Sequence, residues 1–208
     1  MKRNEGQMGQ RQPGAALRAD DLTAKARIRN AALELFAAQG VDATSLRAVA
    51  AAAGVTVGLI VHHYGTKEAL RESVELAIVQ QFAETIASMP LASRPADEIA
   101  AARDHAVADM LSANQAIVDY LRRAILDGSA ERGDLVSRLS QLSAQQVHDL
   151  RQAGVASTKH TVGEQVITIM VRQLGRLFLQ PLVDRIADEF DNDMGSSKKP
   201  RLVVEVTR

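Results

Sequence analysis

Residues 44–70 read TSLRAVAAAAGVTVGLIVHHYGTKEAL, and no other stretch restricts the chain so tightly. Two short apolar-periodic segments end at Gly54 and Gly65, and a third opens on Thr66. Thr44 or Ser45 can cap the first segment, in which Leu46, Val49, Ala50 and Ala53 recur at helical spacing. Thr56 can cap the second, over 57–64. Residues 50–53 are all alanine and present little bulk, while Gly54 accepts the backbone angles of a tight turn, so the two helices can cross closely. The second helix then protrudes. A protruding short helix can enter a DNA major groove with its first residues, here Thr56, Val57, Gly58 and Leu59, against base edges.

Helical periodicity extends to both sides. Ile28, Ala32, Leu35 and Phe36 place a helix before Gly40, with Asp20, Asp21 or Thr23 able to cap it. Leu70, Val74, Ala77, Ile78, Phe82 and Ile86 continue the segment after Thr66, and Pro90 and Pro95 bound it. Further helices are expected over 95–111, 113–126, 131–153, 161–180 and 182–193, the last two separated at Pro181. Ala and Leu dominate, and aromatic residues make up only 3% of the chain, a mixture that favours helix over sheet. The expected fold is all-α with about nine helices: an N-terminal three-helix helix-turn-helix domain and a C-terminal helical domain. Residues 1–20, rich in Gly, Gln and Arg, are expected to form a disordered basic arm. The helix-turn-helix domain is placed over 21–70, the helical domain over 71–194, and a tail over 195–208. The apolar run 202–206 in that tail fits a strand, a docked segment or disorder alike.

Charge is unevenly spread. Residues 1–71 hold 10 Lys or Arg against 6 Asp or Glu, and the remainder holds 15 against 19, so the basic end is the one suited to a polyanion.

Within this frame Ala53, Gly54, Val55 and Thr56 stand in a row, followed by Gly58, His63, Tyr64, Thr66, Lys67 and Leu70 at fixed offsets. Across about 24–70 the chain closely resembles the TetR family of repressors. The resemblance implies base or phosphate contact for Arg47, phosphate contact for Thr44 or Ser45 and for Thr56, and backbone contact for His63 and Lys67. Tyr64 matches the family's core aromatic. Val61 departs from the pattern, because the family usually carries a Tyr there that reaches a phosphate; that contact is lost or passes to His62. Specificity is expected from Arg47, Thr56, Val57, Gly58, Leu59 and His62, with Val57 and Leu59 suited to thymine methyl groups.

One short recognition helix buries little surface, so a homodimer on a palindromic double-stranded DNA operator is expected, paired through the last two long helices. The resemblance also implies a small-molecule effector in an apolar pocket. Met110, Leu111, Tyr120, Ile125, Leu139, Leu142, Met170, Leu174 and Phe178 are candidates to line it. His105, Gln115, Arg123, His148 and Gln173 are candidates to orient the ligand. Effector binding would favour a spacing of the two recognition helices that no longer fits DNA, with the helix after Thr66 as lever.

Other classes find less support. The chain has no Cys, which removes thiolate metal sites, disulfides and thiol nucleophiles. No metal-binding, nucleophile-elbow or phosphate-loop motif is present, and the nearest approach to an acid/base pair is His105 with Asp109. The expectation is a non-enzyme without cofactor or metal, the alternatives being a helical small-molecule enzyme or an adaptor that does not bind DNA. The longest apolar run, 166–171, ends at Arg172 and is too short to span a bilayer, so a soluble, cytoplasmic protein is expected.

Overall fold

The computed structural model describes residues 13–89, 96–126, 135–190, 200, 202–204 and 206. Among them are eight helices: α1 (Pro13–Gln39), α2 (Leu46–Ala53), α3 (Val57–Tyr64), α4 (Lys67–Ala87), α5 (Ala96–Ser112), α6 (Gln115–Leu126), α7 (Leu135–Gln152) and α8 (Val162–Glu189). The described residues contain no strand. The chain forms two compact units, Met1–Val74 and Glu75–Arg208, and the division falls within α4.

Helix α1 begins at Pro13, inside the stretch expected to be an unordered arm. Proline suits a first helical position, where its missing N–H removes no helical bond, and the Ala-rich sequence that follows favours helix. Residues 1–12, the rest of that expected arm, lie outside the described residues.

In the first unit α1 packs on α2 and α3. Ala24, Ile28, Ala32 and Phe36, four residues apart, form a buried line along α1 and meet Val49, Ala50 and Ala53 of α2 and Ile60 of α3 in one core. Leu70 and Val74 at the start of α4 are also buried. In the second unit α5 packs on α6 and α7 on α8. Its core includes Ile99, Val107, Ile117, Leu121, Leu135 and Leu139.

The expected break at Pro181 is absent, because α8 runs through it. Proline at 181 has no N–H for the carbonyl of Leu177, a loss that usually kinks or ends a helix. Here the Arg122 guanidinium on α6 supplies the donor, with Nη2 at 3.1 Å from the Leu177 oxygen. A tertiary bond thus replaces the missing helical one, and two expected helices are one. At its start α8 carries a capping box: Thr161 Oγ1 accepts from the Glu164 amide at 3.2 Å, and the Thr161 amide donates to Glu164 Oε2 at 2.7 Å.

By length and composition α8 is apolar enough to cross a membrane. Two polar groups near its middle, however, are tied to protein. Arg172 forms an ion pair with Asp104 of α5 at 2.9 Å, and Gln173 Nε2 donates to the same carboxylate at 2.6 Å. Burial pushes the Asp104 carboxyl above its ordinary value, against the pull of Arg172 and Arg176.

Candidate nucleic-acid interface

The turn between α2 and α3 is made by Gly54, Val55 and Thr56, and the two helices meet at 105°, within the range of helix-turn-helix motifs. Gly54 sits at φ 65°, ψ 40°, and a Cβ there would meet nothing within 4 Å. Its requirement is therefore conformational rather than spatial. The amides of Gly54 and Val55 close the end of α2 on the carbonyls of Ala51 and Ala50, at 3.3 and 3.0 Å. Of the four alanines, Ala50 and Ala53 face the core while Ala51 and Ala52 are exposed.

Ser45 caps α2 and Thr56 caps α3. Each hydroxyl oxygen accepts the amide three residues on, from Ala48 at 3.1 Å and from Leu59 at 3.2 Å. Between the two possible caps for α2 the structure selects Ser45. Thr44 is 1% exposed; its Oγ1 donates to the Gly40 carbonyl at 2.7 Å and accepts from Gln39 Nε2 at 3.1 Å. A side chain so enclosed closes the loop between α1 and α2 and does not reach a phosphate, which corrects the expectation for Thr44.

Lys67 is also placed differently from expectation. Its ammonium bonds three loop carbonyls, Val41 at 2.9 Å, Asp42 at 3.3 Å and Thr44 at 3.2 Å. An ammonium has three protons, so all are used within the fold. Lys67 braces the loop that positions α2, and what it offers outward is charge.

On α3, Ile60 alone is fully buried; Gly58, Val61 and His62 are exposed, and Val57 and Leu59 are half-buried. Val61, the departure from the family pattern, is 48% exposed. Gly58 has an ordinary helical backbone, and a Cβ there would lie 3.9 Å from Thr56 Oγ1, so packing within the chain does not demand glycine. His63 is half-buried, in edge contact with His62 and Tyr64. Tyr64 ties α3 to α1 by donating its hydroxyl to the Lys25 carbonyl at 2.7 Å, and the Lys25 ammonium lies 5.6 Å from the ring centre. Burial raises the Tyr64 pKa above its ordinary value, against a Ser73 hydrogen bond and the charge of Arg29, so the phenol stays neutral. Arg27 on α1 and Arg47 on α2 are exposed.

In the second unit a cavity of about 70 Å³ lies among five helices. It brings together the expected residues Leu111, Leu139, Leu142, Met170, Gln173 and Leu174. It also takes in Phe82 and Ile86 from the far end of α4, with Val107, Leu121, Ser143, Ile169 and Leu177, which were not expected. Phe82 and Ile86 already stood in the apolar repeat of α4, the one signal that this helix serves both units. Met110, Tyr120, Arg123, Ile125, His148 and Phe178 do not line the cavity. Met110 is core, His148 is exposed and bonds Gln152 through Nε2 at 2.9 Å, and the Tyr120 hydroxyl donates to buried Glu75 at 3.0 Å. His105 is exposed with Nδ1 at 2.8 Å from the Ala101 carbonyl, and neither it nor Gln115 lines the cavity. Among the described residues no group of three His, Cys, Asp or Glu is placed to hold a metal ion.

Comparison with known proteins places this geometry. Residues 28–74 match the family model for bacterial regulatory proteins of the tetR family. The HTH-type transcriptional regulatory protein RaaS of Mycobacterium tuberculosis is 31% identical over 139 residues, a match covering 67% of this chain and 60% of that protein. A TetR-family transcriptional regulator from Haemophilus influenzae superposes with TM-score 0.59 at 16% identity, covering 82% of this chain and 93% of the other. A gamma-butyrolactone receptor described as ArpA-like superposes with TM-score 0.56 at 17% identity, covering 81% and 89%. Motif, sequence relative and fold agree: the chain belongs to the TetR family of bacterial regulatory proteins.

Proposed function

We propose that the chain is a DNA-binding transcriptional regulator, a cytoplasmic repressor that grips a palindromic operator as a homodimer and releases it when a small molecule binds. The observation that carries this reading is the outer face of α3. A helix set at 105° to its support exposes Gly58, a residue the fold itself does not require. An exposed glycine within a helix costs about 1 kcal/mol relative to alanine, so its use here fits a surface that another molecule approaches closely.

The neighbouring groups suit a duplex. Ser45 and Thr56 accept amides at their oxygens and keep their own protons for phosphate. Arg47 extends from α2 toward base or phosphate, and Val57, Leu59 and Val61 offer apolar contact to thymine methyl groups. His62 and His63 add polar contacts, and Lys67 adds positive charge. In this reading residues 21–70 bind DNA and 71–194 bind effector and pair with a second copy through α8.

The second unit supplies a route for relief of repression. Consecutive residues of α6 touch three different places: Tyr120 bonds Glu75 of α4, Leu121 lines the cavity, and Arg122 holds the Leu177 carbonyl of α8. A ligand enlarging the cavity would press Leu121 and move both bonds together, shifting α4, which begins in the DNA-binding unit. The cavity is apolar with Ser143 and Gln173 as polar groups, so the effector class that fits is a small, mostly apolar molecule with one or two hydrogen-bonding atoms. The structural relative named as a gamma-butyrolactone receptor is consistent with such a ligand.

The test is selection of bound duplexes from a random pool by the purified chain. Recovery of an inverted repeat supports the reading; a pool that never departs from random sequence contradicts it.

A further inference from the structure

Pro200, Leu202 and Val204 lie against α8 and run opposite to it, Leu202 at Gln180 and Val204 at Gly175, and α8 has two features shaped for them. Gln180 clasps the backbone: its side-chain oxygen accepts the Leu202 amide at 2.7 Å, and its Nε2 donates to the Pro200 carbonyl at 2.9 Å. This is the two-bond pattern a neighbouring strand would offer. One turn earlier lies Gly175, where a Cβ would stand 2.7 Å from Val204 Cγ2 and 3.3 Å from its Cβ and Cγ1. Any residue larger than glycine would push Val204 away. Leu202 and Val204 are half-buried and Val203 is exposed, the alternation of an extended segment laid on a surface.

The notch lies in the middle of an apolar stripe. Ile167, Val171, Gly175, Leu179, Leu182 and Ile186 follow one another at intervals of three or four, and the five with side chains remain 39% to 54% exposed. Val204 covers the centre and leaves both flanks open. A second copy seated along this stripe would need the space Val204 fills.

We propose that segment 200–206 is an intramolecular competitor for the α8 face, so that pairing of two copies through α8 requires its release. The inference rests on the reading of α8 as the pairing surface. The segment is short and its described residues are held by one clasp and one notch, so its hold can be overcome at higher protein concentration. Dimerisation, and with it tight operator binding, then acquires a concentration threshold set within the chain.

Sedimentation equilibrium across a concentration series tests this on the full chain, on a chain ending at Lys199 and on Gly175→Ala. Alanine raises helix propensity at 175, so the substituted helix stays folded while its Cβ displaces Val204. Both variants are expected to dimerise about tenfold more tightly or better. A synthetic peptide of residues 200–208 added to the shortened chain is expected to weaken its dimer again. Dimers of equal or lower affinity in both variants, with no effect of the peptide, overturn the competition while leaving α8 as the pairing surface. Monomers throughout, in all three proteins, overturn both.

Discussion

The helix-turn-helix and α8 are both apolar helices with well-formed caps, yet they leave opposite things unfinished. Around α2 and α3 three polar side chains of the motif are spent inside: Thr44 on Gly40, Lys67 on three carbonyls, Tyr64 on Lys25. What faces outward is a short helix with a glycine, two half-buried aliphatics and imidazoles. Along α8 Arg172 and Gln173 are likewise tied down, to Asp104, but a stripe of Ile, Val and Leu faces outward. The residues left over then differ in what they fit, a close polyanionic partner in one case and another apolar face in the other.

The difference can be broken most sharply at Gly58. Gly58→Leu has room for its Cβ within the fold and favours helix, so thermal stability should hold or rise while affinity for the selected duplex falls about a hundredfold, equivalent to roughly 2.7 kcal/mol. Melting curves with binding titrations check both halves, and a variant that binds normally would place the DNA face elsewhere. A smaller effect separates brace from ligand. Lys67→Met should cost about 1–3 kcal/mol of stability in denaturant titrations, through three carbonyls losing a charged donor. Arg47→Gln should leave stability unchanged and reduce the salt slope of binding by about one. The reverse pattern would make Lys67 the phosphate contact.

How much of this was legible in the sequence follows the same division. Residues 44–70 declare themselves because caps and glycine turns act within a few residues: Ser45, Gly54, Thr56 and Gly65 all end or begin elements where expected. The inward turn of Thr44 was not legible, since Thr44 and Ser45 are equal as caps until the loop from Gly40 is built. Nor was the use of Lys67, whose three acceptors lie 23 to 26 residues away in sequence. In α8 the expected break at Pro181 failed for a tertiary reason, because Arg122 sits 55 residues from the carbonyl it satisfies. The docking of Leu202 on Gln180 is likewise invisible to periodicity.

Arg122 gives a third prediction of modest size. Arg122→Met should destabilise the chain by about 1–3 kcal/mol, and by distinctly less when Pro181→Ala has restored the helical amide. A double-mutant cycle in denaturant measures the difference, and strict additivity would deny the substitution of one bond for the other. The smallest effect concerns Asp104. Its folded pKa is raised, chiefly by burial, so the folded chain takes up a proton more readily than the unfolded one. The native chain should therefore gain stability relative to Asp104→Asn as pH falls through the raised value toward the ordinary carboxyl range. Parallel melts between neutral pH and pH 4 test it; a relative loss on acidification would show that the Arg172 pair outweighs burial.

The most direct measurement for the DNA-binding claim is fluorescence anisotropy of the full chain on its selected duplex across ionic strength, with Arg47→Gln beside it. Tight binding at low salt that weakens by about a thousandfold or more between 50 and 200 mM, with a shallower slope for the variant, is the predicted result. No retention of duplex at low ionic strength, or affinity indifferent to salt and to Arg47, would contradict it.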